Sequence, residues 1–121
     1  MLPFRIILFI VLVLNGVAVF AYNPDHLVKI KNQEFCISCD LSNSDLRNID
    51  LSGKVIRGSN MSGAKLNGAN FTGADLNGVN FNGADLSNAI LLDADISWSH
   101  MNNKTIMCRA TMPDGSINMD C

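Results

Sequence analysis

Large apolar residues recur along this chain every five positions, and most of what lies between them is small or polar. The series runs Leu41, Leu46, Leu51, Ile56, Met61, Leu66, Phe71, Leu76, Phe81, Leu86, Leu91, Ile96, Met101 and Ile106 without a slip in spacing. Two residues before most of these stands a small one: Cys39, Ser44, Ser59, Ala64, Ala69, Ala74, Ala84, Ala89, Ala94 and Ser99. A helix would need apolar residues three and four apart and a strand would need them two apart, so a period of five fits neither. The chain must turn after every unit. Gly53, Gly58, Gly63, Gly68, Gly73, Gly78 and Gly83 all hold the last place of the unit, where a tight turn favours glycine. No unit can bury its apolar side chain alone, so successive turns must stack around one shared core, which is the logic of a solenoid.

The clearest copies are Ala64-Lys65-Leu66-Asn67-Gly68, Ala69-Asn70-Phe71-Thr72-Gly73 and Ala74-Asp75-Leu76-Asn77-Gly78. Their order of small residue, polar residue (Asp or Asn in most copies), Leu or Phe, then two free positions resembles the pentapeptide repeat family. The resemblance implies an all-β solenoid, a right-handed four-sided (quadrilateral) β-helix in which four units make a coil of twenty residues. Residues 39–108 would then form about 3.5 coils. Stacking residues twenty apart gives four core columns: Leu41, Met61, Phe81 and Met101; Leu46, Leu66, Leu86 and Ile106; Leu51, Phe71 and Leu91; Ile56, Leu76 and Ile96. On the outside, Asp45, Lys65 and Asp85 stack as a charge ladder and Asp75 lies over Asp95. Lys54 and Lys104 fall at the small inward position, where an unpaired ammonium is not tolerated, so the chain must bulge there or the side chain must reach outward.

Before the array, Arg5 and the apolar run Ile6 to Phe20, ending in Val19-Phe20-Ala21, read as a signal peptide over residues 1–21. The run is shorter than the roughly 20 residues that span a bilayer, so no stable membrane insertion is expected after cleavage. Residues 22–38 lack the repeat. His26, Leu27, Ile30 and Phe35 are spaced as one face of a short helix, and Asp25 to Lys31 reads as a helical cap on the solenoid's open end, with Asn23 or Asp25 at its start. Residues 109–121 form a closing tail whose Thr-Met-Pro-Asp-Gly-Ser segment, from Thr111 to Ser116, resembles the ending of exported family members. Its Pro113 and Gly115 suit a type I turn, and Met112 or Ile117 would plug the core.

The four cysteines stand at the two borders of the array. Cys36 and Cys39 can be a structural disulfide, reduced cap residues, a redox centre, or half of a metal site in which His26 is the local candidate ligand. With coils at strand spacing the two borders lie about 17 Å apart, beyond the roughly 7 Å that a disulfide bridges between Cα atoms. If the cysteines pair within the chain, they pair Cys36 with Cys39 and Cys108 with Cys121.

At 121 residues and a net charge of −2, the chain offers no strong attraction for nucleic acid. His26 and His100 are far apart in the array, no serine stands in a triad-like motif, and no glycine-rich loop opens a helix. No catalytic residue and no cofactor are expected. Some pentapeptide repeat proteins resemble duplex DNA and bind topoisomerases, but this array is short for that and its leader directs it elsewhere. Ile90, Leu92 and Trp98 place apolar groups where the repeat points outward, which marks a contact surface for a partner protein, a homodimer or the chain's own tail. Three sequons begin at Asn60, Asn70 and Asn103, the first two generated by the repeat itself. The sequence therefore predicts a secreted or periplasmic, non-enzymatic interaction or structural module, with an envelope thiol-disulfide protein acting through Cys36 and Cys39 as the alternative and a DNA-mimicking topoisomerase inhibitor as the remote one.

Overall fold

The structure is a computed structural model and describes residues 12–14, 17–19 and 22–121. The expected leader over residues 1–21 lies outside the described residues apart from the backbone of two strands, β1 (Leu12–Leu14) and β2 (Val17–Val19), which pair antiparallel. One helix, α1 (Pro24–Asn32), follows. Its start is set by Asn23, whose side chain accepts the Asp25 N–H at 2.9 Å, and by Pro24, which costs nothing at a position with no intrahelical N–H partner. Lys29 and Lys31 sit in its last turn, where cations complement the backbone dipole.

Beyond α1 the chain pairs with itself every twenty residues through parallel bridges: Asp40 with Asn60 and Asn60 with Asn80, Asp45 with Lys65, Asp50 with Asn70, Val55 with Asp75. Four positions in each twenty-residue turn are bridged this way, one per unit, so every unit contributes one side of the coil. A pair of backbone bonds closes each contact; Leu41 N–H donates to the Asn60 carbonyl and Asn60 N–H to the Cys39 carbonyl, both at 2.8 Å. Inside, the stacked Leu, Ile, Met and Phe residues from Leu41 to Leu91 are completely or almost completely buried, and the alanines from Ala64 to Ala89 fill the narrow places beside them. Phe71 and Phe81 meet edge to face, with ring centroids 6.1 Å apart, an arrangement that aromatic quadrupoles favour.

The last residue of each unit turns the corner in the left-handed region. Gly63 has φ +65° and a Cβ there would run into the Asn43 side chain one coil below, so both the backbone and the space select glycine. Where glycine is absent the same conformation falls on Ser38, Asn43, Asn48, Asn88, Asp93, Trp98 and Arg109. Asn and Asp accept it readily, whereas Trp98 carries a cost of about 1 kcal/mol.

Three sequence expectations are corrected. The array starts before Cys39, because Phe35 already bridges Val55. Cys36 therefore takes a central core position, and Phe35, expected on the buried face of the cap, points outward beneath the Lys29 ammonium at 5.1 Å. Near the other border one extra residue enters the coil. Asp85 bridges Ile106 and Ile90 bridges Thr111, both twenty-one apart, so Ile106 is turned outward at 49% exposure and Met107 packs on the core in its place. Thr105, not Lys104, takes the small inward position. Its hydroxyl donates to the Phe81 carbonyl at 2.9 Å and accepts the Gly83 N–H at 3.2 Å. Lys54 does keep its place in register, and its ammonium reaches back to the Gln33 carbonyl at 2.7 Å.

The third correction concerns the tail. Thr111 continues the ladder beyond Cys108, and Ala110 is fully buried. The chain then turns at Gly115 and returns antiparallel, Ile117 against Thr111. Ile117 was expected to plug the core but is 51% exposed, and Met112 is only half-buried; Met107 and Ala110 do the closing.

Candidate functional site

Ile90 and Leu92 flank the buried Leu91, so they project from the outer side of one wall of the coil. The next wall is centred on Ile96 and shows Asp95 and Ser97 to solvent. Trp98 sits at the corner beyond it. Trp98 therefore stands one whole wall beyond the Ile90 and Leu92 pair, where the five-residue register places it.

The returning tail distinguishes the two parts further. Thr111 lies directly over Ile90, the Asp93 N–H donates to the Pro113 carbonyl at 3.0 Å, and a Cβ on Gly115 would stand 3.7 Å from Leu92 Cδ1. Ile90 and Leu92 are accordingly left only 38% and 37% exposed, whereas Trp98 is 83% exposed. Beside it, Ser97 donates both its hydroxyl and its backbone N–H to the Asp95 carboxylate and holds it below the usual carboxylate value. An anionic edge next to a free indole is the chemical character of this corner.

Other exposed apolar side chains carry less obvious sequence signals. Val28, Phe35 and Ile37 lie near the start of the array, and Ile106, Ile117 and Met119 near its other border. Ile106 looked like core because a strict period of five assigns it there. Ile117 and Met119 alternate with polar Ser116, Asn118 and Asp120, the only sequence hint that this stretch is extended.

Cys36 is bridged to Cys39 with Cα atoms 5.6 Å apart, and Cys108 to Cys121 at 4.7 Å. The first bridge is buried with the core. Ser59 braces it from the coil above, donating to the Cys36 carbonyl at 2.7 Å and accepting the Cys39 N–H at 3.0 Å. His26 Nδ1 accepts the Asp40 N–H at 2.8 Å and so fastens α1 to the first coil. Among the described residues no group of three or more His, Cys, Asp or Glu is placed to hold a metal ion, and no helix is long and apolar enough to cross a membrane.

On the outer walls the acidic residues act locally. Asp45 is gripped by Arg47 at 2.7 Å, and the guanidinium hydrogen bond lowers its pKa from 3.8 to about 2. Asp75 lies over Asp95 in the ladder but takes its own partner, Arg57, at 2.5 Å.

Among solved structures the chain is similar to HetL, a pentapeptide repeat protein involved in heterocyst differentiation regulation from the cyanobacterium Nostoc sp. strain PCC 7120. Identity is 28% over 69% of this chain and 49% of that one, with a TM-score of 0.46. Rfr23 from the cyanobacterium Cyanothece 51142 is 28% identical over 60% of this chain and 46% of that one, TM-score 0.44. A pentapeptide repeat protein of the Arabidopsis thaliana thylakoid lumen is 33% identical over 58% of this chain and 51% of that one, TM-score 0.31. The chain spans about half the length of these relatives. A comparison with curated proteins finds no match. The model of pentapeptide repeats matches residues 36–73 and 64–103, in eight copies. That covers more than half the sequence, in the region where the chain pairs with itself every twenty residues, and the chain belongs to the pentapeptide repeat family.

Proposed function

We propose that the protein is an exported, non-enzymatic pentapeptide repeat module, a right-handed four-sided β-helix, that binds a partner protein with Trp98 as its anchor. The observation that carries this reading is Trp98 itself, an indole 83% exposed on a backbone of φ +59°. The corresponding corners one and two coils earlier are Gly78 and Gly58. A bulky residue in that conformation costs stability, and a ring this exposed packs on little among the described residues. Tryptophan is also the residue type most enriched among binding hot spots. Ile90 and Leu92 form a second, smaller contact, partly occupied by the tail.

Export is supported by the leader-like residues 1–21 and by two disulfides, which persist outside reducing compartments. The alternative of thiol-disulfide chemistry at Cys36 and Cys39 is disfavoured because both residues are inaccessible to a substrate sulfur and follow the end of α1, not a helix start that would activate a thiolate. DNA mimicry is disfavoured because the outer walls interleave Arg57 and Lys65 with the aspartates.

The test is affinity isolation from the protein's own cells with wild type, Trp98→Gly and Leu92→Ser as baits. Trp98→Gly removes the ring and relaxes the corner, so it should melt at or above the wild-type temperature while losing the partner; Leu92→Ser should lose less. A partner retained in full by Trp98→Gly would defeat the reading. The intact mass of the same purified protein, starting at Tyr22 with no thiol open to alkylation, is the expected sign of export.

A further inference from the structure

The two borders of the array leave different backbone groups unpaired. In the first coil, Asp45 and Asp50 have backbone N–H and C=O groups with no partner among the described residues, since α1 covers only part of that end. This edge carries its own guard. Asp45 is ion-paired to Arg47 and Asp50 is held by Ser52, and charges along an edge oppose pairing with another strand.

At the other border the N–H groups of Ile96, Trp98 and Met101 have no partner among the described residues, and on the wall of Ile90 the outermost strand is the returning arm of the tail hairpin. Met112 N–H donates to the Ser116 carbonyl at 2.7 Å, Asn118 N–H to the Ala110 carbonyl and Arg109 N–H to the Asn118 carbonyl at 2.9 and 2.8 Å. Ser116 and Asn118 therefore face the array, and by strand alternation the N–H and C=O of Ile117 face away from it. Neither Ile117 nor Met119 has a backbone partner among the described residues. Asn118 Oδ1 accepts the Asp120 N–H at 2.8 Å, and the Cys108–Cys121 bridge pins the far end of the arm. The apolar side chains on this edge are Ile117 and Met119, 51% and 74% exposed; Ile117 extends the outward column of Ile90 and Thr111, and the exposed carboxylates Asp114, held by Ser116, and Asp120 stand at the two ends of the arm.

We infer that this edge pairs with the same edge of a second copy of the chain, forming an antiparallel two-fold strand pair centred on Asn118. That register sets Ile117 opposite Met119 of the second copy and Met119 opposite Ile117 of the second copy. It satisfies the unpaired N–H and C=O groups of both residues and leaves Asn118, already bonded inward, facing its own equivalent. The pairing joins apolar to apolar side chains. A register centred on Ile117 would instead set Asp114 against Asp120 and leave the Met119 groups unmatched. A self-matching edge is what a two-fold interface requires. This association goes beyond partner binding at Trp98 and uses a different part of the molecule.

Sedimentation of the full chain over a range of concentrations tests it, with Ile117→Pro, Ile117→Lys and Trp98→Gly alongside. The Ile117 N–H has no partner among the described residues, so proline removes the donor offered to the second copy without breaking a bond of the hairpin, and its restriction of Ser116 to extended backbone suits the strand. Wild type and Trp98→Gly should form the same dimer. Ile117→Pro and Ile117→Lys should melt like wild type and dimerise about tenfold or more weakly, the factor that corresponds to one main-chain hydrogen bond left unmade. A wild type that stays monomeric, a dimer untouched by both Ile117 variants, or a dimer lost only in Trp98→Gly would each overturn the inference. In the last case self-association belongs to the Trp98 corner.

Discussion

The two borders of the array face one physical problem and solve it differently. A stack of coils ends in exposed core and unpaired backbone, and each border here is closed by a cap and a disulfide. The first cap is a helix. It satisfies its own backbone bonds, so once Ile30 is buried and His26 and Asn23 hold the Asp40 backbone, the covered part of that end presents no further edge. The second cap is a hairpin. It satisfies the Ile90 wall of the coil below it, leaves the N–H groups of Ile96, Trp98 and Met101 without a partner among the described residues, and presents a new edge one strand further out, at Ile117. The comparison teaches that a helical cap ends a solenoid, whereas a strand cap passes its edge on.

The largest difference should appear in the core contacts of the two caps. Ile30→Ala empties a fully buried site and should cost about 2–5 kcal/mol, whereas Met107→Ala, at a half-buried site, should cost less than half as much. Chemical denaturation measures both. Hydrogen exchange should show α1 and the first coil losing protection first in Ile30→Ala. Equal costs would mean that the hairpin border is packed as tightly as the helical one.

The disulfides sharpen the comparison at a smaller scale. By the loop-entropy account, Cys108→Ser with Cys121→Ser should cost about 3 kcal/mol and Cys36→Ser with Cys39→Ser about 2 kcal/mol, because the Cys36–Cys39 loop is the shorter one. Paired thermal melts of the two double variants decide this. The reverse order would show that the first bridge acts through its contact with Ser59 and the core more than through chain entropy.

Acid should have the smallest effect and act on both borders. Asp45 and Asp50 at the first edge, Asp95 in the wall before Trp98 and Asp114 in the tail turn are all held below the ordinary carboxylate value by hydrogen bonds, from Arg47, Ser52, Ser97 and Ser116 in that order. Burial pushes Asp85 up, but the Ser87 bonds outweigh it and its net shift is also downward. A carboxylate whose folded pKa is depressed contributes stability above its unfolded value, and that contribution is lost as pH falls through the folded value. The melting temperature should therefore be level near neutrality and decline below the ordinary value of 3.8, with Asp45 giving up its share towards about 2. The contribution of each exposed group is small. A protein equally stable at pH 2 and pH 7 would show that the Asp-x-Ser bonds do not matter to folding.

The sequence alone fixed most of the middle of this molecule. An apolar residue every fifth position can be buried only by stacked turns, and small residues two places earlier leave room for one column of side chains per wall, so the core from Leu41 to Leu91 was readable residue by residue. Helix capping was readable for a related reason, since Asn23 and Pro24 satisfy or avoid the free N–H groups locally. The borders were not readable from period alone. Ile106 and Met107 are adjacent and both apolar, so the pattern fits either register. Only the bonds among Asn102, Thr105, Gly83 and Phe81 select the one with an extra residue. Likewise, the sequence left the chain's own tail, a second copy and a partner protein all open as cover for Ile90, Leu92 and Trp98, and only the folded tail shows that it reaches the first two and not the third. Which apolar residues stay exposed depends on where distant segments end their hydrogen bonds, and that is decided by the folded chain as a whole.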